Sequence, residues 1–154
     1  MSDESHVSPY GITLREDGVI DMFPAIEVGL RTRAGGRLSL FFLIDSGAHI
    51  SAMPASDAAV LGIDAAEGEP MLISGISGAP ARGWRHTLSV LLGDETLEIP
   101  MVFLDLDSCP RVLGRSGVFG RYTVVFEEHR QRAALLGTKT KTARKVTEAL
   151  DSLA

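Results

Sequence analysis

Along this chain, apolar and polar residues alternate far more often than they recur at helical spacing. Ile26, Val28 and Leu30 are interleaved with Glu27, Gly29 and Arg31, the period-two pattern of a half-buried strand. Leu38 to Ile44 is apolar apart from Ser39 and predicts a strand buried on both faces. The alternation returns in Leu88, Val90 and Leu92, and again in Leu97, Ile99, Met101 and Phe103, with Gly93-Asp94-Glu95 as the turn between the two runs. Tyr122 to Phe126 and Ala133 to Leu136 predict two more short strands. Ala34-Gly35-Gly36 closes the first strand in a turn, and residues 1–22, polar and carrying the turn signal Asp17-Gly18, read as a loose lead-in.

Helix is scarce. Pro54 to Leu61 predicts a short helix with Pro54 in its first turn and Gly62 ending it, and Ser116 to Arg121 predicts a single turn. Ala143, Val146, Leu150 and Leu153 recur at spacings of 3, 4 and 3, one face of a C-terminal helix. Its lysines lie near its start and Asp151 near its end, opposite to the preference of the helix dipole, so it needs docking to persist. Many short strands with hairpin turns predict an all-β fold, a closed or nearly closed β-barrel.

Composition narrows the class. A length of 154 residues fits one domain, and 45 % hydrophobic with 23 % charged residues can fill a core. Lys139, Lys141, Arg144 and Lys145 against Glu148 and Asp151 put the last sixteen residues at +2, while the rest stands at −7. That shift predicts a lead-in over 1–22, a domain over 23–137 and a helical tail over 138–154. A net charge of −5 argues against a nucleic-acid partner. The single Cys109 excludes an internal disulfide, and His6, His49, His86 and His129 show no metal-ligand spacing, so neither metal nor cofactor is expected. No apolar run approaches the roughly 20 residues that span a bilayer. Met1-Ser2-Asp3-Glu4-Ser5 lacks the basic-then-apolar order of a secretion signal, and a cytoplasmic location is expected.

Chemistry concentrates in Phe41-Phe42-Leu43-Ile44-Asp45-Ser46-Gly47-Ala48. A carboxylate directly after an apolar strand is costly unless satisfied, because burial opposes ionisation. Ser46 supplies a hydroxyl, and Gly47 permits a turn in which backbone N–H groups face the carboxylate; taken alone, the tripeptide reads more readily as a simple turn ending a strand. Two later segments complete a pattern. Leu72-Ile73-Ser74-Gly75-Ile76-Ser77-Gly78 is a small, flexible hairpin tip, and Arg111-Val112-Leu113-Gly114-Arg115 pairs two apolar residues with a glycine and an arginine.

In that order, over roughly residues 24–136, the chain resembles the retropepsin-like aspartic proteases, the single-lobe family of the retroviral proteases and their cellular relatives. The resemblance implies the acid protease barrel, with Asp45 as catalytic aspartate and Ser46 and Gly47 locking two active-site loops across a dimer axis. It implies a substrate cleft lined by Ala48, His49 and Arg115, covered by a flap of Ile73, Ser74, Gly75, Ile76, Ser77 and Gly78. Asp45-Ser46-Gly47 is the only Asp-Ser/Thr-Gly in the chain. An endopeptidase of this type therefore needs two copies of Asp45 side by side, which a twofold homodimer supplies. Such a pair shares one proton, titrates as a unit and favours acidic to mildly acidic pH in cleaving a peptide or protein substrate.

The chain departs from the retroviral pattern in three places. His49 stands where those enzymes carry an acid, so the corresponding ion pair with Arg115 is unavailable. The chain runs on from Thr138 to Ala154, beyond the point where retroviral termini interleave into a dimer sheet. Ser74 and Ser77 take flap places often held by glycine. These departures motivate an alternative, a catalytically silent retropepsin-like module that binds a peptide or partner. Cys109 reads as a loop or buried thiol, and Trp84, between Arg82 and Arg85 but for Gly83, as plain packing.

Overall fold

The computed structural model describes residues 5–75 and 79–154. The strands are β1 (Ser5–Pro9), β2 (Gly11–Leu14), β3 (Ile20–Phe23), β4 (Ala25–Arg31), β5 (Arg37–Ile44) and β6 (Ser51–Pro54). Helix α1 (Ala55–Leu61) follows, then β7 (Glu69–Ser74), β8 (Pro80–Leu92), β9 (Glu95–Leu104), β10 (Val112–Leu113), β11 (Tyr122–Glu127) and β12 (Arg132–Gly137). Helix α2 (Lys141–Asp151) comes last, its first turn capped by the Thr140 hydroxyl accepting from the Ala143 amide.

The main sheet runs β4-β5-β10-β6-β9-β8-β7, and a further pairing of β4 with β8 brings its two sides together into a ring. Inside the ring lie the alternating apolar positions read from the sequence. Ile26, Val28, Phe42, Met53, Ile99, Met101, Phe103 and Leu113 are all excluded from solvent. β10 is only two residues long, yet it lies between β5, to which it is parallel, and β6, to which it is antiparallel. This insertion brings the segment around residues 111–116 to the end of β5. α1 starts after Pro54 and stops at Gly62, whose φ of 74° is left-handed and whose N–H bonds back to the Ala58 and Ala59 carbonyls.

Three expectations need correction. Within the expected lead-in over 1–22, the described residues 5–22 are not loose. β1 pairs along its length with β12, in the three-stranded order β1-β12-β11, and β2 and β3 form a separate hairpin around the Asp17-Gly18 turn. The pairing of β1 is with a strand at the far end of the chain, so no local pattern announces it. β5 is not buried on both faces, because Phe41 is 61 % exposed opposite the exposed Glu27. Ser116 to Arg121 forms hydrogen-bonded turns, as expected, and Gly117 at φ 78° keeps them from extending into a helix. α2 forms as expected, but only Ala143 is buried, and Leu150 and Leu153 reach solvent.

Candidate active site

Asp45 follows the buried Ile44 and is itself half-buried, so its carboxylate sits where the barrel interior gives way to solvent. The Asp45 amide donates to the Leu113 carbonyl at 3.1 Å, which continues the parallel β5–β10 pairing by one residue. Its side-chain Oδ1 accepts from the Gly47 amide at 2.8 Å, and its carbonyl accepts from the Ala48 amide at 3.3 Å. The carboxylate is therefore oriented by its own turn, with one oxygen fixed and Oδ2 without a hydrogen-bond partner among the described residues. Gly47 does not need a left-handed conformation here. A Cβ on it would stand 3.1 Å from Asp45 Oδ1, so its lack of a side chain keeps the carboxylate in place.

The segments on either side are joined rung by rung. The Arg115 amide donates to the Ala48 carbonyl at 3.0 Å and the Ser116 amide to the His49 carbonyl at 2.8 Å. The buried Ser51 hydroxyl accepts from the Gly114 amide at 3.0 Å. Gly114 packs so closely that a Cβ would lie 2.5 Å from the Ile50 carbonyl carbon and 2.9 Å from the Ser51 nitrogen. Both are backbone atoms and cannot yield. Asp45-Ser46-Gly47-Ala48 and Val112-Leu113-Gly114-Arg115, distant in sequence, thus form one structural unit.

Of the residues expected to line a cleft, Ala48, His49 and Arg115 are brought together by these rungs. The His49 and Arg115 side chains are both exposed, and Arg115 makes no ion pair among the described residues. Ile73, Ser74 and Gly75 lie at the end of the β7–β8 hairpin, where Ile73 faces Ala81 and Ser74 faces Pro80. Among the described residues, no hydrogen bond joins that hairpin to the Asp45 segment. Ile76, Ser77 and Gly78 lie outside the described residues. No three His, Cys, Asp or Glu side chains among the described residues converge to hold a metal ion.

Sequence reasoning missed the support behind this unit. Arg111, directly before β10, makes a two-pronged hydrogen-bonded ion pair with Asp57 of α1. The Asp57 hydrogen bonds raise the Arg111 guanidinium above its already high range, which keeps it charged. Nothing in the sequence pairs these two residues, because their meeting depends on where β10 inserts. Cys109 is half-buried nearby, and burial, then the Asp57 charge, pushes its thiol up, which favours the protonated form. Trp84 does more than pack: the Arg82 guanidinium lies 5.1 Å from its ring centroid while also bonding Asp105.

Residues 30–140 match a protein-family model described as aspartyl protease. The fold is similar to the crystal structure of a retropepsin-like aspartic protease from Rickettsia conorii, with a TM-score of 0.59 at 18 % identity, covering 85 % of this chain and 98 % of that one. EIAV protease in complex with the inhibitor HBY-793 is more distant, with a TM-score of 0.46 at 19 % identity, over 60 % of this chain and 82 % of that one. No curated protein matches the chain. The Rickettsia likeness, at that identity, establishes the retropepsin-like fold.

Proposed function

The chain belongs to the aspartyl protease family, and we propose that it is an endopeptidase whose active centre forms only when two copies bring their Asp45 carboxylates together. The observation that carries this reading is the placement of a single Asp-Ser-Gly. Asp45 is half-buried at the end of β5, with Oδ1 held by the Gly47 amide and Oδ2 free to meet a partner. Hydrolysis of a peptide needs one group to take a proton from water and another to give one to the substrate. One chain supplies one such carboxylate, and a twofold axis supplies the second.

Two like carboxylates in contact share one proton. The ionised Asp45 takes a proton from the water between them as its oxygen attacks the scissile carbonyl carbon. The protonated Asp45 of the other copy hydrogen-bonds the carbonyl oxygen as charge develops there. When the C–N bond breaks, a proton passes to the leaving amine, and the pair returns to its starting state. Ser46 and Gly47 meet their counterparts across the axis in this reading. Ala48, His49 and Arg115 line the cleft, and the β7–β8 hairpin, with Ile73 to Gly78, covers it.

Asp45→Asn tests the proposal, since it keeps the shape and removes the acid–base function. Peptide cleavage should fall by about a thousandfold or more, with dimer and thermal midpoint unchanged. Full activity in that variant, or cleavage by a strict monomer, would overturn it. A silent peptide-binding module is the second reading, favoured by His49 standing, exposed, where the retroviral enzymes carry an acid, and by Arg115, which has no ion-pair partner among the described residues. Binding without turnover of any peptide from acidic to neutral pH would establish it instead.

A further inference from the structure

We propose that two copies of this chain hold each other through a reciprocal contact, in which the β2–β3 hairpin of one is covered by the C-terminal half of α2 from the other. The inference rests on the homodimeric reading above and says what joins the two subunits. On the hairpin, Ile12 stands opposite Met22 and Leu14 opposite Ile20. Side chains two apart share a face of a strand, so these four lie together on one side. They are 46–70 % exposed, and Val19 beside them at the turn is 49 % exposed. A hairpin that, among the described residues, pairs with no other strand is marginal in water, and an apolar face of this kind on it marks an interaction surface.

The matching surface is at the other end of the chain. The stripe Ala143-Val146-Leu150-Leu153 begins buried against β12, then runs out into solvent, with Leu150 60 % and Leu153 84 % exposed. Charge selects between possible occupants of the hairpin. Residues 11–23 carry Arg15 against Glu16, Asp17 and Asp21, a net −2, and Arg15 is already engaged by Asp17 and Asp21. Residues 138–154 carry +2. The two surfaces are therefore both apolar and opposite in sign, and both lie wholly or almost wholly outside the stretch 30–140 that matches the protease family. A twofold axis makes the contact twice, so each weak surface counts double.

Mixing experiments separate this arrangement from its rivals. One full-length variant carries Ile12→Asp with Leu14→Asp, and a second carries Leu150→Asp with Leu153→Asp. Each alone should dimerise about tenfold or more less tightly by analytical ultracentrifugation. An equimolar mixture should recover part of the affinity, because the heterodimer keeps one intact hairpin facing one intact helix. Variants that dimerise normally, or that stay monomeric when mixed, overturn the proposal. A milder pair guards against misfolding. Leu14→Cys and Leu150→Cys chains, both with Cys109→Ser, should form a disulfide-linked heterodimer on oxidation, and its absence counts against the contact. A wild-type chain that is monomeric would instead sink the homodimeric reading itself, whereas a wild-type dimer indifferent to these changes sinks only the contact.

Discussion

The Arg111 guanidinium grips the Asp57 carboxylate with two hydrogen bonds, Nε to Oδ2 at 2.7 Å and Nη2 to Oδ1 at 2.9 Å. The pair ties α1 to the residue that leads into β10, and the Arg111 carbonyl in turn accepts from the Leu43 amide on β5 at 2.9 Å. Asp57 and the strand that ends just before Asp45 are thereby connected through a single residue.

The two partners are unequally exposed, with the Asp57 side chain at 12 % and that of Arg111 at 36 %. Removing the arginine strands a carboxylate that water reaches poorly, while removing the charge on Asp57 leaves an arginine that can turn to solvent. Arg111→Met should therefore cost about 2 kcal/mol and Asp57→Asn about 1 kcal/mol, less than a fully buried pair because Arg111 is partly solvated. Denaturant unfolding of both variants and the double variant checks the order. Equal losses would show that the pair is not asymmetric in solvation.

Three glycines should respond very differently to alanine. Gly114→Ala drives a methyl into the Ile50 backbone and should destabilise by more than about 3 kcal/mol. Among the described residues Gly47→Ala meets only Asp45 Oδ1, at 3.1 Å, so stability should change little while peptide cleavage drops sharply. Gly75→Ala finds nothing within 4 Å among the described residues and should be neutral in stability. Thermal melts and cleavage rates on the three variants give the comparison.

Ser51→Ala removes the acceptor for the Gly114 amide in a site closed to water. The stranded N–H should cost about 1–2 kcal/mol. A thermal midpoint equal to that of the parent would mean that the Ser51–Gly114 bond adds nothing to the junction of the two segments.

Acidification should loosen the β11–β12 connection. The hydrogen bond from Arg132 first, with the charges of Arg132, Arg130 and His129, holds the Glu127 carboxyl below the usual carboxylate range against the opposing effect of burial. A carboxylate with a lowered folded-state value contributes stability above its unfolded value and loses that contribution as pH falls through the folded one. The thermal-midpoint gap between the parent and Glu127→Gln should thus be widest near neutrality and close as pH falls below the ordinary carboxylate range. A gap independent of pH would show that Glu127 contributes nothing as a charge.

Much of the barrel was legible from one residue to the next. Leu97, Ile99, Met101 and Phe103 announce β9, and Leu88, Val90 and Leu92 announce β8, because the two-residue period of a strand is a local property. Pro54 and Gly62 mark the ends of α1 for the same reason. Phe41 misled, since an apolar run signals burial only where a second layer exists to cover it. The strand character of Ser5–Pro9 was invisible, as its hydrogen bonds go to Arg132–Gly137.

By itself the chain of residues determined the alternation inside β4, β8 and β9, that Asp45 follows an apolar run, and that only one Asp-Ser-Gly is present. Those facts follow from backbone geometry and composition, which act over a few neighbouring positions. The tertiary structure alone decided that Gly114 closes against Ile50 and Ser51, that Arg111 finds Asp57, and that β1 and β12 pair within one chain. Each of these joins segments far apart in sequence, and such contacts form only when the closing ring brings the segments within hydrogen-bonding distance. No short-range pattern of residues carries that information.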